Sequence, residues 1–253
     1  MCGMSMDKKL FAVADIHGHF TELKKALDAS GFENGNPEHL LIVCGDLFDR
    51  GSENRAVLAY LSETKNKILI RGNHDDRLAE ILESRHLEYY DAHNHTDETI
   101  EEFFGVGCVD GNLNLKITDE SLFRKLVDLY RSELDYYECG NYIFTHGWLP
   151  SEVIERTPYL LRDWRSADAD AWKNARWLQW QQMYARRDTA TIPGKTIVCG
   201  HRPSSLGYMF DHSRTFDDHS IFYGDGMIAI DGGTVRSGIV NVLVIEPEEN
   251  CRR

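Results

Sequence analysis

The short apolar run Leu40 to Val43 ends in Cys44-Gly45-Asp46-Leu47-Phe48-Asp49-Arg50-Gly51, and this arrangement limits what the chain can become. A continuous apolar run of that length reads as a strand buried on both faces, and in parallel α/β sheets the chemistry lies beyond the carboxyl ends of the strands. The flanking glycines allow a tight turn and close approach to a ligand. The same pattern recurs along the chain. Leu10 to Ala14 runs into Asp15-Ile16-His17-Gly18, and Lys67 to Ile70 into Arg71-Gly72-Asn73-His74-Asp75. Tyr142 to Thr145 leads to His146-Gly147-Trp148, and Thr196 to Cys199 to Gly200-His201-Arg202-Pro203. Any one of these is weak, since a strand-end carboxylate beside an arginine is commonly a structural ion pair and a lone histidine a packed side chain. Five strand ends that each offer a ligand type predict one shared site. Carboxylate and amide oxygens mixed with imidazole suit a divalent first-row ion, and the number of donors suggests two ions.

Length and charge agree with this. A chain of 253 residues is long enough for a sizeable core, and no Ser/Gly/Pro-rich linker, low-complexity tract or internal repeat divides it, so a single domain over residues 8–247 is expected. The formal charge of −13 argues against broad electrostatic binding to nucleic acid or an anionic membrane, which needs clustered Lys and Arg. Six scattered cysteines without a Cys-x-x-Cys read as reduced thiols. Met1 to Lys9 is too short and polar for a signal peptide, and no run reaches the length of a membrane span, which predicts a cytoplasmic protein.

Helical spacing is clear over Phe20 to Ala29, with Gly31 as its stop, over Val57, Leu58 and Leu61 after Ser52 or Glu53, over Leu78, Ile81 and Leu82 after Asp75 or Asp76, and over Ser121 to Tyr130. Glu133 to Glu138 and Asn141 to Thr145 read as a hairpin, and Met227 to Ile230 and Ile239 to Ile245 as strands. Leu87 to Leu115 reads as a polar, solvated insertion, and His86 just before it and His93 and His95 within it are taken as surface side chains rather than ligands. Trp164, Trp172, Trp177 and Trp180 read as core or groove wall. Ser204 to Gly226 is turn-rich and suits a specificity loop or a plain surface loop.

The motifs at residues 15–18, 45–51, 71–75, 146–147 and 200–201, in that order, resemble those of the phosphoprotein phosphatase superfamily within the calcineurin-like metallophosphoesterases. The resemblance runs from the first strand to about Val240 and implies an α/β/β/α sandwich: two mixed sheets flanked by helices, with metals at the strand carboxyl ends. By this resemblance Asp15 and His17 bind a first metal, Asp46 bridges, and Asn73, His146 and His201 complete a second site. One carboxylate at the bridge suits two dications roughly 3.5–4 Å apart, because it reduces their repulsion. The resemblance makes His74 a general acid hydrogen-bonded to Asp49, and Arg50 and Asn73 phosphate ligands with a second arginine, for which Arg176 is favoured over Arg162 and Arg165. A planar guanidinium fork matches two phosphoryl oxygens at once. Asp75 stands where eukaryotic protein phosphatases carry Glu, a departure that points to a bacterial-type member of the superfamily; the family resemblance as a whole is to bacterial-type serine/threonine protein phosphatases. The expected function is phosphomonoester hydrolysis on phosphoserine and phosphothreonine by direct attack of a metal-bridging hydroxide, with manganese favoured and iron, zinc, cobalt or nickel also accepted. The rival is a dinucleoside tetraphosphatase or RNA-end phosphatase, in which the tryptophan-rich segment stacks a base. Phosphorylated proteins or small phosphoesters are the expected partners, with nucleic acid expected only as a nucleotide or RNA-end substrate.

Overall fold

The computed structural model describes residues 7–247. Strands β1 (Lys9–Val13), β2 (His39–Cys44) and β3 (Lys67–Ile70) lie parallel and in sequence order. Helix α1 (Phe20–Ser30) connects the first pair and α2 (Asn54–Glu63) the second, while α3 (Asn73–Ser84) follows β3. α1 stops at Gly31, which takes the left-handed conformation (φ 80°) that a glycine adopts without strain. The chain continues through α4 (Thr96–Phe104) and α5 (Glu120–Ser132) into β4 (Tyr137–Cys139) and β5 (Tyr142–Phe144). An exposed hairpin of β6 (Ser151–Ile154) and β7 (Thr157–Leu160) precedes α6 (Ala169–Ala175). Strands β8 (Thr196–Cys199), β9 (Phe222–Gly224), β10 (Met227–Ala229) and β11 (Leu243–Ile245) complete the fold.

The first sheet has the order β11-β1-β2-β3, with β11 antiparallel, and the second β4-β5-β8-β10-β9, with both edge strands antiparallel. Alternation along the strands explains their packing, because successive side chains point to opposite faces. Leu10, Ala12, Ile42 and Cys44 face Phe144, Val198 and Ile228 of the other sheet. Phe11, Val13, Leu41 and Val43 face the layer of α1 to α5. Ile143, Ile197, Cys199, Met227 and Ala229 face outward into a layer built on Trp148, Trp164, Trp172 and Trp180. Both faces of each sheet are thus covered, which is why the strands read as unbroken apolar runs.

Some segments differ from the sequence expectation. Residues 96–104 of the polar insertion form α4, because Ile100, Phe103 and Phe104 bury one face and Phe103 packs edge-on against Phe48 at 5.2 Å between ring centres. The last strand is shortened to Leu243–Ile245, the stretch that pairs with Leu10 to Ala12 of β1. Cys44, Cys108 and Cys199 are buried free thiols and Cys139 is buried as well, while Cys2 and Cys251 lie outside the described residues. Among the described residues no helix is long and apolar enough to cross a membrane.

Candidate metal centre

The parallel strands deliver their carboxyl ends to one edge of the sandwich. Asp15 and His17 follow β1, Asp46, Asp49 and Arg50 follow β2, His146 follows β5, and His201 follows β8. Asn73 and His74 form the first turn of α3, which begins directly after Gly72 rather than at Asp75. Asp15, His17, Asp46, Asp49, Arg50 and His201 all have positive φ, between 47° and 75°. Such conformations are costly for residues with a Cβ and persist only where the surroundings over-determine them, as at functional sites. The glycines between them are there for close approach. A Cβ on Gly72 would lie 2.2 Å from Asp46 Oδ1, and one on Gly45 2.6 Å from His146 Nδ1.

Asp46 is 2% exposed and lies between two donor groups. Its Oδ2 is 3.6 Å from His17 Nε2 and its Oδ1 is 3.4 Å from His146 Nε2. His17, Asp46 and His74 offer ligand atoms within 4.8 Å of one another, and so do Asp46, His146 and His201. The outer nitrogens are already committed: His17 Nδ1 donates to the Phe48 carbonyl at 3.0 Å, and His146 Nδ1 to the Cys44 carbonyl at 2.8 Å. Each inner Nε2 of a neutral ring is then a lone pair. His146 Nε2 faces the Asn73 side-chain oxygen at 2.9 Å, so two acceptors point at one spot, an arrangement that a cation between them satisfies. Burial pushes the His17 and His201 pKa values down to about 3 and lowers that of His146 as well, which keeps all three neutral as metal ligation requires. Burial works against the Asp46 charge, but the surrounding histidines outweigh it and hold the carboxyl below the usual range. The donor set fits divalent ions.

Asp15 is turned differently from the expected pairing with His17: its Oδ2 accepts the His201 N–H at 2.9 Å. Burial, and then Asp231, push its pKa well above the usual carboxylate value. His74 Nδ1 donates to Asp49 Oδ2 at 2.7 Å, and the Thr96 hydroxyl donates to the same oxygen at 2.9 Å. Burial pulls the imidazole pKa down, yet the Asp46 charge and the bond to Asp49 more than compensate, and it stands above that of an ordinary histidine. The Arg50 guanidinium donates to His74 Nε2 at 2.9 Å and to His17 Nε2 at 3.1 Å, reaching into the first donor group. Arg176 is 5% exposed and its fork is taken by Asp76 at 2.9 Å and by Asp135. Arg165 pairs with Glu138 at 2.9 Å and lies over Trp164, while Arg162 is exposed in a turn. The hydrogen bonds of Arg176 and Arg165 go to these acids rather than to the donor groups, although Arg176 lies near enough to His146 to help lower its pKa.

Two contributions were not legible in the sequence, the acceptor role of Asp75 and the part played by Thr96. Asp75, 1% exposed, accepts from the backbone N–H groups of Asp46 (2.8 Å), Gly72 (2.8 Å) and Leu47 (3.2 Å), joining the ends of β2 and β3. Thr96 comes from the insertion read as solvated, which also lends Asn94 to Arg50 and Glu102 to Asn54.

A two-sheet sandwich with histidine and carboxylate donors gathered at its strand ends is the architecture of the metallophosphoesterase class. The chain belongs to the calcineurin-like phosphoesterase family, whose sequence model matches residues 8–225, and this family uses divalent metals. It is 28% identical over 156 residues to the symmetrical bis(5′-nucleosyl)-tetraphosphatase of Nitrosospira multiformis, a match covering 60% of this chain and 48% of that protein. It is 23% identical over 207 residues to the asymmetrical bis(5′-nucleosyl)-tetraphosphatase PrpE of Bacillus subtilis, covering 76% of this chain and 78% of that one. The match therefore spans less than half the length of the first relative. A protein serine/threonine phosphatase from Saccharomyces cerevisiae shares the fold, with a TM-score of 0.51, 15% identity, and 96% of this chain and 81% of that chain covered.

Proposed function

We propose that residues 8–247 act as one catalytic unit that hydrolyses phosphoesters with two divalent ions, manganese being the first choice. The observation that carries this is Asp46, whose two oxygens face different histidines at 3.6 and 3.4 Å, so that a single anion serves both donor groups. His17 and Asp46, with Asp15 once its carboxylate turns, would hold one ion, and Asp46, Asn73, His146 and His201 the other. When bound, the ions supply Lewis-acid charge to the phosphoryl oxygens and lower the pKa of a water nucleophile toward neutrality. The chain's own residues do the rest. Arg50 offers a planar fork to the phosphoryl group, and Asn73 orients it. His74, held at Nδ1 by Asp49, accepts from Arg50 at Nε2; with the guanidinium turned to the phosphoryl group, that nitrogen is free to carry a proton and give it to the leaving oxygen.

Two leaving-group classes fit this chemistry. Phosphoserine and phosphothreonine are the reading that follows from the sequence motifs; a bis(5′-nucleosyl) tetraphosphate is supported by the two tetraphosphatase relatives. A manganese-dependent hydrolysis panel tests both, using an aryl monophosphate, phosphoserine and phosphothreonine peptides and diadenosine tetraphosphate, each repeated with Asp46→Asn. Turnover lost in the variant is expected; turnover that survives it would remove Asp46 from the mechanism.

A further inference from the structure

We infer that Trp177 is a stacking platform for the substrate's nucleobase, which selects nucleoside phosphates over phosphopeptides. This rests on the hydrolase reading above and chooses between its two substrate classes. The chain has five tryptophans, of which Trp148, Trp164, Trp172 and Trp180 are 0–3% exposed, whereas Trp177 is 55% exposed. Its ring stands at 83° to that of His201, with centres 6.0 Å apart, an edge-to-face contact that leaves at least one broad face of the indole clear of the histidine. It therefore presents an open aromatic face at the rim of the second donor group.

The position is rigid rather than a frayed loop. Arg176 beside it is buried and fixed by Asp76 and Asp135. The Trp177 N–H donates to the Asn174 carbonyl at 3.1 Å, and the Trp148 N–H to the Ala175 carbonyl at 3.0 Å. Gly147 presses on the same turn so closely that a Cβ there would be 2.5 Å from the Arg176 carbonyl oxygen. The segment that carries His146 thus also sets Trp177. A large aromatic face left in water beside a phosphoryl site gains nothing from the folded chain; a flat ligand covering it does. The alkoxide of phosphoserine or phosphothreonine brings no flat group of its own.

The test compares AMP with ribose 5-phosphate, which differ by the base alone, by calorimetric titration of the manganese-loaded protein. Base stacking on an aromatic side chain corresponds to roughly five- to hundredfold in affinity. AMP is expected to bind tighter than ribose 5-phosphate by a factor in that range. Trp177→Ala should erase this preference while leaving ribose 5-phosphate binding unchanged, and Trp177→Phe should retain most of it. Equal affinities in the wild type, no binding of either ligand, or a preference that survives Trp177→Ala would overturn the inference. The hydrolase reading fails separately, through absent turnover of the aryl monophosphate.

Discussion

Asp46 and His74 are neighbours with separable duties, and substitutions can tell them apart. His74 is bound to Asp49 at 2.7 Å, and its backbone N–H donates to Asp46 Oδ1 at 3.0 Å. His74→Asn keeps that backbone bond and removes the acid. It should lower kcat by about 10²- to 10⁴-fold on alkyl phosphates and by clearly less on an aryl phosphate, whose leaving group needs little protonation. Metal content measured on the same preparation should stay near two equivalents; a variant that loses its ions would mean that His74 is a ligand. Asp75 gives a different kind of test. Asp75→Ala leaves three backbone donors unpaired in the interior, so a stability loss of roughly 1–3 kcal/mol is expected in denaturant titration, with weaker metal binding because Asp46 loses its tether. Unchanged metal affinity would confine Asp75 to stability. The ligand types were legible because each follows an apolar run. The role of Asp75 was not: its local sequence shows a carboxylate in a helix's first turn, and its acceptor function exists only once the ends of β2 and β3 converge.

At the scale of elements, legibility follows burial. The parallel strands are covered on both faces and declare themselves as apolar runs, and α1, α2, α3 and α5 carry regular apolar stripes. α4 escaped notice because its nine residues sit in a polar insertion and its buried face is only Ile100, Phe103 and Phe104 beside two threonines. The β6–β7 hairpin carries Val153, Ile154 and Tyr159 exposed and so lacks the alternation that marks a half-buried strand. The edge strand β4 holds a charge cluster that reports on its own docking. Glu138 accepts from Arg165 at 2.9 and 3.0 Å and pairs with Lys195 at 2.9 Å. The hydrogen bonds from Arg165, then those from Lys195, bring its pKa down to about 2. A carboxylate whose folded pKa lies below its unfolded value stabilises the fold above the unfolded value, about 4.3, and that contribution is lost as pH falls through the folded one. Glu138→Gln should therefore melt below the wild type at pH 7, and the two melting curves should converge between about pH 4.5 and pH 2. A gap of constant size across that window would show that the pair acts through packing alone.

The whole molecule sets one further constraint, because a formal charge of −13 surrounds a site read as binding anions. Two dications would leave the chain strongly negative, so a polyphosphate approaching from a distance meets repulsion and feels attraction only near Arg50 and the ions. Screening lengths are about 30 Å at 0.01 M salt and about 8 Å at 0.15 M, so added salt removes the long-range part first and leaves short contacts largely intact. The value of kcat/KM for a highly charged substrate should therefore rise as ionic strength increases over that range, and rise less for a singly esterified aryl phosphate of lower charge. The rise should appear in kcat/KM with kcat nearly constant, because it reflects encounter rather than chemistry. A steady fall of kcat/KM with salt for both substrates would show that the local positive field of the metal-loaded mouth dominates approach. The acidic surface would then lie away from the entrance, and Arg50 and the ions would act in steering as well as in binding.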